Sequence, residues 1–195
     1  MIRQTDVIEF FDALAPGWDA KTVVDDDVIR TVLDHAGVVS GCKVLDVATG
    51  TGVLIPYYLA REVSSVTAVD ISPEMLRVAR QKFPEPAVRF ILGDAETAVP
   101  DCDFDAIVIY NALPHFPDAE RLIASLSTHL RTGGTLTVAH GASREVINAH
   151  HKERAQTVSN GLMEAAALAD VFSKYLSVAA VISDSRMYLV SGKKL

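Results

Sequence analysis

Residues 44–52 read Val-Leu-Asp-Val-Ala-Thr-Gly-Thr-Gly. A short strand-like run leads here into a turn with two glycines, and a segment with helical spacing follows over Val53–Arg61. This succession of strand, glycine turn and helix predicts one unit of a parallel α/β sheet. Gly50 and Gly52 leave room for a ligand beside the backbone, and the free N–H groups at the start of the helix attract polar groups. A tight turn without a ligand is the alternative. A dinucleotide site is less favoured, because Ile55 stands where the third glycine of G-x-G-x-x-G falls.

Strand-like runs recur along the chain, with helical segments between them. They lie at Val66–Asp70, Val88–Leu92, Ala106–Tyr110 and Leu136–Ala139. Ser72 and Asp118 are predicted N-caps, and the helix after Asp118 is predicted over Ala119–Leu130, ending before Gly133 and Gly134. This alternation predicts an α/β fold with a parallel sheet.

The end of the chain breaks the parallel pattern. Two more strand-like runs, Val178–Ile182 and Met187–Val190, are separated by Ser183-Asp184-Ser185, which has the composition of a hairpin turn. The sheet is therefore predicted to end in an antiparallel pair.

Two mostly helical segments, residues 1–39 and 142–175, fall outside the alternation. Because ligands of open α/β sheets bind at the carboxyl ends of the strands, both segments are predicted lids on a single domain that spans residues 1–195. In the first segment Phe10, Phe11, Leu14 and Trp18 recur at helical spacing, for which core packing is the alternative.

Composition excludes several function classes. The 195 residues carry 18 Lys and Arg against 25 Asp and Glu, a net charge of −7 with no basic cluster, so nucleic acid is not an expected partner. No apolar run approaches the roughly 20 residues that a membrane span needs. The N-terminus has no signal-peptide pattern, and Cys42 and Cys102 lack paired or metal-type spacing. We expect a cytoplasmic protein, a monomer or homodimer, that acts on a small molecule.

Acidic residues end two of the predicted strands. Asp70 ends the second strand, where its carboxylate can accept both hydroxyls of a ribose lying on the glycine turn. Asp94 and Ala95 follow the third strand, where the carboxylate can accept from the amine of adenine and the Ala95 N–H can meet a ring nitrogen. A helix cap and an ordinary polar turn are the alternatives. Together these residues predict an adenosine-like ligand.

Six stretches in this order resemble the class I S-adenosylmethionine-dependent methyltransferases, especially the branch of the menaquinone and ubiquinone biosynthesis methyltransferases. They are residues 44–52, 69–76, 93–96, 104–108, 111–116 and 130–134, and the resemblance runs from about Phe10 to Leu195. It implies a Rossmann-like, seven-stranded, mostly parallel sheet of order 3-2-1-4-5-7-6, with strand 7 antiparallel and helices on both faces.

The resemblance also implies the cofactor, S-adenosylmethionine, and a role for each matching residue. Asp46 and the glycine loop hold its methionine end, Asp70 the ribose, and Ile71 and Met75 the sides of the adenine pocket, while Asp94 and Ala95 meet the adenine edge. Asn111 lies near the transferred methyl group. The implied cofactor-binding set is Asp46, Ala48, Thr49, Gly50, Gly52, Asp70, Ile71, Met75, Asp94, Ala95 and Asn111.

The sequence departs from the family pattern at two positions. Ala48 replaces the first glycine of the loop, and it would be strained if the loop required a positive φ there. Pro114 stands where relatives often have histidine, in a region that contacts substrate, so the identity of the acceptor does not carry over from them.

Three histidines are the candidate residues for the methyl acceptor. His115 follows the fourth strand and His140 ends the fifth, and the implied order makes those strands neighbours. A helix starting after Ser143 would bring His151 over the same edge. We expect His115 and His140 to be catalytic, as general bases or acceptor ligands, because imidazole titrates near neutral pH. The expected acceptor-binding set is Trp18, His115, Phe116, His140 and His151.

Two other interpretations of the histidines are open. They can merely cap strands or lie in solvent, or they can hold a metal ion. No short-spaced histidine pair supports a metal site, and none is expected.

The predicted function is S-adenosylmethionine-dependent methyl transfer to a small-molecule acceptor. Two alternatives retain the cofactor residues: an enzyme of the same fold with non-methylating chemistry, and a non-catalytic cofactor-binding module. The fold by itself does not separate these three.

Overall fold

The computed structural model describes residues 2–100 and 102–195; Met1, Asp101 and the side chain of Arg154 are outside it. The strands are β1 (Lys43–Val47), β2 (Ser65–Asp70), β3 (Val88–Leu92), β4 (Phe104–Tyr110), β5 (Leu130–His140), β6 (Ser177–Ser183) and β7 (Tyr188–Lys193). The helices are α1 (Gln4–Leu14), α2 (Trp18–Lys21), α3 (Asp26–His35), α4 (Ile55–Ala60), α5 (Pro73–Lys82), α6 (Ala119–Thr128), α7 (Arg144–Arg154) and α8 (Ala165–Ser173).

The strands form one seven-stranded sheet of order β3-β2-β1-β4-β5-β7-β6. The neighbours from β3 to β5 pair in parallel, and β7 pairs antiparallel with both β5 and β6. The predicted fold, its strand order and the closing antiparallel pair are confirmed.

Alternation along the strands supplies a hydrophobic core on each face of the sheet. In β1, Val44 packs in a cluster with Leu33 of α3, while the next residue, Leu45, packs on the opposite face with Leu126 of α6 and Phe172 of α8. Successive side chains of a strand point to opposite faces, so an uninterrupted apolar run is buried on both sides. The helices therefore cover both faces, as predicted.

Side-chain caps fix where several helices begin. The hydroxyl of Ser72 accepts a hydrogen bond from the N–H of Met75, and the carboxylate of Asp118 accepts one from the N–H of Arg121. Ser143 caps α7 in the same way, through the N–H of Val146. Each bond satisfies an N–H that has no partner within its helix, which is why these positions start helices.

The prediction that α6 runs to Leu130 and stops at the glycines is wrong. The helix ends at Thr128, and Gly133 and Gly134 lie within β5, in an irregular stretch opposite Phe104–Ala106 of β4. A Cβ atom on Gly134 would lie only 2.9 Å from the carbonyl oxygen of Phe104. The glycine therefore serves the close approach of two strands at a bulge.

The predicted helix over Val53–Arg61 is shorter in the structure. It covers Ile55–Ala60, because turns extend from the glycine loop as far as Leu54.

The segment after β5 contains two helices with different surroundings. Leu168 and Phe172 of α8 pack in the same cluster as Val190 of β7, so α8 is a layer of the α/β core and not part of the lid that was predicted over residues 142–175. Helix α7 and residues 155–164 instead lie beside the carboxyl ends of the strands. No helix within residues 2–100 and 102–195 has both the length and the apolar character that crossing a membrane requires.

The cap of α6 gives a test of these assignments. Asp118→Ala should lower the free energy of unfolding by about 1 kcal/mol, because the N–H of Arg121 loses its acceptor. Denaturant titration measures the change. Asp170→Ala, at an exposed position within α8, is the matched control and should leave stability within about 0.5 kcal/mol. Equal stability of the two variants would show that the cap contributes nothing.

Candidate functional site

A cavity of about 540 Å³ lies at the carboxyl edge of the sheet, between the strand ends, the N-terminal helices and α7. Its volume falls in the range of about 300–1,000 Å³ that is usual for small-molecule sites. The predicted residues that line it are Trp18, Ala48, Thr49, Gly50, Asp70, Ile71, Met75, Asp94, Ala95, Asn111, His115, Phe116, His140 and His151. Asp46 and Gly52 do not line it.

The two glycines of the first turn do different things. Gly50 has φ +57°, and a Cβ atom there would meet no atom within 4 Å, so this residue is open to the cavity. Gly52 has φ +86°, and its Cβ atom would lie 2.8 Å from both Ile55 Cδ1 and the Phe83 ring. Gly50 thus leaves space beside the cavity, whereas Gly52 allows the loop to pack against the helices behind it.

Two non-glycine residues at this edge have left-handed backbones. Ala48 has φ +54°, a positive value, so its backbone is strained in the way that the sequence analysis expected. Asn111 has φ +56°, and its side-chain oxygen accepts a hydrogen bond from the N–H of Gly141, which joins the ends of β4 and β5. Such backbones cost roughly 1–2 kcal/mol in residues with a Cβ atom and cluster at functional sites.

Asp70 connects the first two strand-to-helix turns. One carboxylate oxygen accepts from the N–H of Gly50 at 2.7 Å, and the other accepts from the N–H of Ser72 at 2.8 Å. Burial raises the pKa of Asp70 to about 6, although these hydrogen bonds act in the opposite direction. Each oxygen retains lone-pair capacity for a further donor.

Asp46 lies beneath the loop and not in the cavity wall. It accepts hydrogen bonds from the hydroxyls of Thr49 at 2.5 Å and Tyr58 at 3.3 Å. Burial raises the pKa of Asp46 to about 7, and the nearby charge of Asp70 also raises it. Its contacts make it a support of the loop, through Thr49, which does line the cavity.

Asp94 shares its carboxylate with a residue that the sequence analysis missed. One oxygen accepts from the N–H of Glu96, and the other accepts from the side-chain amide of Gln4 in α1. The Gln4 amide thus shares the carboxylate that the resemblance assigns to the adenine edge, and the carboxylate oxygens retain lone-pair capacity for a further donor. Gln4 is 90 residues away in the chain, and no local pattern marks it.

Two acidic residues, Asp12 and Asp19, hold α1 and α2 over the site. Asp12 accepts from the hydroxyl of Ser72 and from the N–H of Glu74 at the start of α5. Asp19 accepts from the hydroxyl of Thr51 at 2.6 Å and pairs with Lys82 at 2.7 Å. The N-terminal segment is therefore attached to both the glycine turn and α5.

The structure brings the three predicted histidines together. The rings of His115 and His151 lie 4.9 Å apart, and both line the cavity with His140. His140 is buried, with neither ring nitrogen bonded to another described group, and its ring meets the edge of Tyr188. The adjacent His150 also lines the cavity and was not predicted.

Burial keeps these rings neutral. It lowers the pKa of His115, and it lowers the pKa of His140 to about 3 and that of His151 to about 4, where the other histidines add to the effect. In the part of the chain that the structure describes, no three or more His, Cys, Asp and Glu side chains are grouped so as to hold a metal ion.

Comparison with known proteins finds similarity to methyltransferases. The model described as a methyltransferase domain matches residues 44–134. A demethylmenaquinone methyltransferase of Renibacterium salmoninarum is 36% identical over 148 residues, which cover 70% of this chain and 59% of that protein. The chain spans about half of the length of the curated relatives that it matches.

Solved structures agree with this fold over nearly the whole chain. A DhpI–SAH complex has a TM-score of 0.76 at 21% identity and covers 98% of this chain and 96% of its own. N-methyltransferase NodS from Bradyrhizobium japonicum, in complex with S-adenosylhomocysteine, has a TM-score of 0.76 at 13% identity and covers 98% of each chain. Residues 44–134 thus match a methyltransferase domain, and the sheet order and the glycine turn with its acidic partners make this chain similar in fold to solved methyltransferases.

Proposed function

We propose that this chain binds S-adenosylmethionine and transfers its methyl group to a small-molecule acceptor. The observation that carries the proposal is the position of Asp70 in the cavity wall, bonded to Gly50 of the glycine turn, with Asp94 in the same wall. These residues fit an adenosine group, because Gly50 leaves open space and the Asp70 carboxylate retains capacity for hydroxyl donors.

Each part of the cofactor has a matching group in the cavity wall. Asp70 would accept from the ribose hydroxyls, and Ile71 and Met75 would pack against the adenine, whose edge would meet Asp94 and Ala95. Thr49 and Gly50 would lie along the methionine end, with Asp46 supporting the loop. When bound, the cofactor supplies an electrophilic methyl carbon. The protein then has to place a nucleophile in line with it and exclude water.

The acceptor would bind at the other end of the cavity, below α7 and the N-terminal helices. Trp18 and Phe116 supply apolar surface there, and His115, His140 and His151 supply the polar groups. Cys42 and Cys102 are free thiols, which supports the cytoplasm as the compartment.

We also propose that two segments act as lids on a single domain. The first is the N-terminal segment up to the end of α2, and the second is α7 with the residues that follow it. Ile2 and Val7 of the N-terminal segment pack against Ala155 and Val158 of the segment after α7, so the two lids meet each other over the cavity. On this proposal the two segments separate to admit the cofactor and close over it.

Asp70→Ala should weaken binding of S-adenosylhomocysteine by about 1.5–3 kcal/mol, because ribose hydroxyls lose a charged acceptor. Calorimetry measures this affinity, and Asp34→Ala, at an exposed site in α3, is the control. Unchanged affinity would contradict the ribose assignment. With labelled S-adenosylmethionine and an acceptor panel, formation of S-adenosylhomocysteine identifies methyl transfer; binding without this product favours the two alternatives, non-methylating chemistry and a non-catalytic cofactor-binding module.

Binding should also depend on pH. Because the pKa of Asp70 is raised to about 6, its carboxylate is ionised above that pH and becomes protonated below it. Affinity for S-adenosylhomocysteine should therefore fall as the pH drops from 8 to about 5. The matched variant is Asp70→Asn, which has no titrating group at this position and should show a flatter profile. Identical profiles would assign the dependence to another group.

The lid proposal predicts a kinetic effect of Asp19→Ala. This change removes the bonds to Thr51 and Lys82 that attach α2 to the domain, so S-adenosylhomocysteine should dissociate about three- to tenfold faster. Stopped-flow competition measures the rate. Glu9→Ala, an exposed change in α1, should leave it unaltered. If both variants release the ligand at the wild-type rate, these contacts do not control the lid.

A further inference from the structure

We propose that His115 is the base of this site and that its Nε2 atom accepts the proton of an acceptor O–H, N–H or S–H group. The inference rests on the proposed function and adds which histidine acts and through which atom. It starts from a hydrogen bond between Nδ1 of His115 and the backbone carbonyl oxygen of Val158, 2.8 Å long.

That bond determines the tautomer of His115. A carbonyl oxygen can only accept a hydrogen bond, so the proton must be on Nδ1. Burial lowers the pKa of His115, which keeps the ring neutral at physiological pH. A neutral imidazole has a single N–H, and Nε2 therefore carries an unprotonated lone pair.

Packing holds this ring in one orientation. The ring of Phe11 meets it edge to face at 4.9 Å, and the ring of His151 lies at the same distance. Phe11 and Val158 belong to the two lids, and they pack in or against one hydrophobic cluster. The lids therefore orient the base as well as cover it, and we regard Val158 as a positioning residue.

The other two histidines have no tautomer fixed in this way. Nδ1 of His151 contacts the hydroxyl of Ser159 at 2.8 Å, and a hydroxyl can donate or accept. His140 has no hydrogen bond to either nitrogen among the described residues, and its pKa of about 3 makes it a weak base. Both rings are suited to hydrogen bonding with an uncharged methyl acceptor. Of these three histidines, only His115 presents a lone pair on a defined nitrogen atom.

The acidic residues of the cavity are already committed elsewhere. Asp70 ends β2 and Asp94 follows β3, on the proposed cofactor side, and Glu96 pairs with Arg121. His115 follows β4, His140 ends β5 and His151 lies on α7. The cavity therefore has acidic side chains at its cofactor end and imidazole rings at its acceptor end.

The step balances without another reactant. The acceptor's proton would move to Nε2 of His115, and the lone pair of the acceptor atom would form the bond to the methyl carbon that S-adenosylmethionine supplies. The electron pair of the broken S–C bond would leave with the neutral thioether product. The imidazolium then releases its proton to water as the site opens.

The first test reads the tautomer directly. In protein with ¹⁵N-labelled histidine and bound S-adenosylhomocysteine, long-range ¹H–¹⁵N NMR should show Nδ1 of His115 protonated and Nε2 of the unprotonated, pyridine type. Addition of 2-naphthol, a probe with one O–H, should shift the Nε2 signal, whereas 2-methoxynaphthalene should not. A proton on Nε2, or a signal that 2-naphthol leaves unmoved, would overturn the proposal.

Two substitutions separate the base from a structural role. His115→Asn keeps an amide N–H that can reach the Val158 carbonyl but has no group at the Nε2 position. His115→Gln has an amide oxygen near the Nε2 position, which can accept a hydrogen bond, but no N–H at the Nδ1 position. In the wild type, 2-naphthol should bind about three- to tenfold more tightly than 2-methoxynaphthalene. His115→Asn should lose this preference, and His115→Gln should retain part of it.

The opposite pattern, in which His115→Asn behaves as wild type and His115→Gln is impaired, would show that His115 is only structural. Affinity for S-adenosylhomocysteine should be the same in all three proteins, because His115 lies away from the proposed adenosine contacts. If the wild type itself fails to bind S-adenosylhomocysteine, the proposed function fails, which is a different result from failure of the base assignment.

Discussion

The position of β1 between β2 and β4 constrains every functional group of this protein. The chain leaves β1 toward β2 on one side and later returns to place β4 on the other, so the loops that follow β1 and β4 diverge. In an open parallel sheet this divergence creates a crevice at the carboxyl ends of the strands. The cavity lies at this point. Residues at or after the carboxyl ends of the five parallel strands β1 to β5 line it, together with residues of α7, because these strand ends share one edge of the sheet.

Within that crevice, Asp70 determines the shape of the proposed cofactor end. Its carboxylate bonds to backbone N–H groups of both the glycine turn and the start of α5, and thereby fixes two loops relative to one another. A buried carboxylate is stable only with such donors, and its raised pKa shows that desolvation outweighs them. The left-handed backbones of Ala48 and Asn111 lie at the same edge, where the surrounding structure holds strained conformations.

The acceptor end is constructed differently, from segments far apart in the chain. His115 follows β4, yet its partner Val158 and its neighbours Phe11 and His151 come from the two lids. The apolar cluster that joins the lids therefore also fixes the imidazole. Opening the lids would break the contacts of Val158 and Phe11 with His115, and the imidazole would then be free to rotate. Access to the site and the orientation of its proposed base are therefore coupled.

The sequence by itself determined the α/β class, the caps at Ser72, Asp118 and Ser143, and a set of candidate site residues most of which line the cavity, because these depend on local periodicity and on motifs within a few residues. The glycine pair at 133–134 misled the prediction of α6, since glycine also serves a bulge between strands, which requires the partner strand. Only the tertiary structure decided that Gly52 serves packing, that Gln4 bonds to Asp94 and that Val158 fixes the tautomer of His115. Each of these is a contact between distant segments, and its energy depends on a distance that no local pattern encodes.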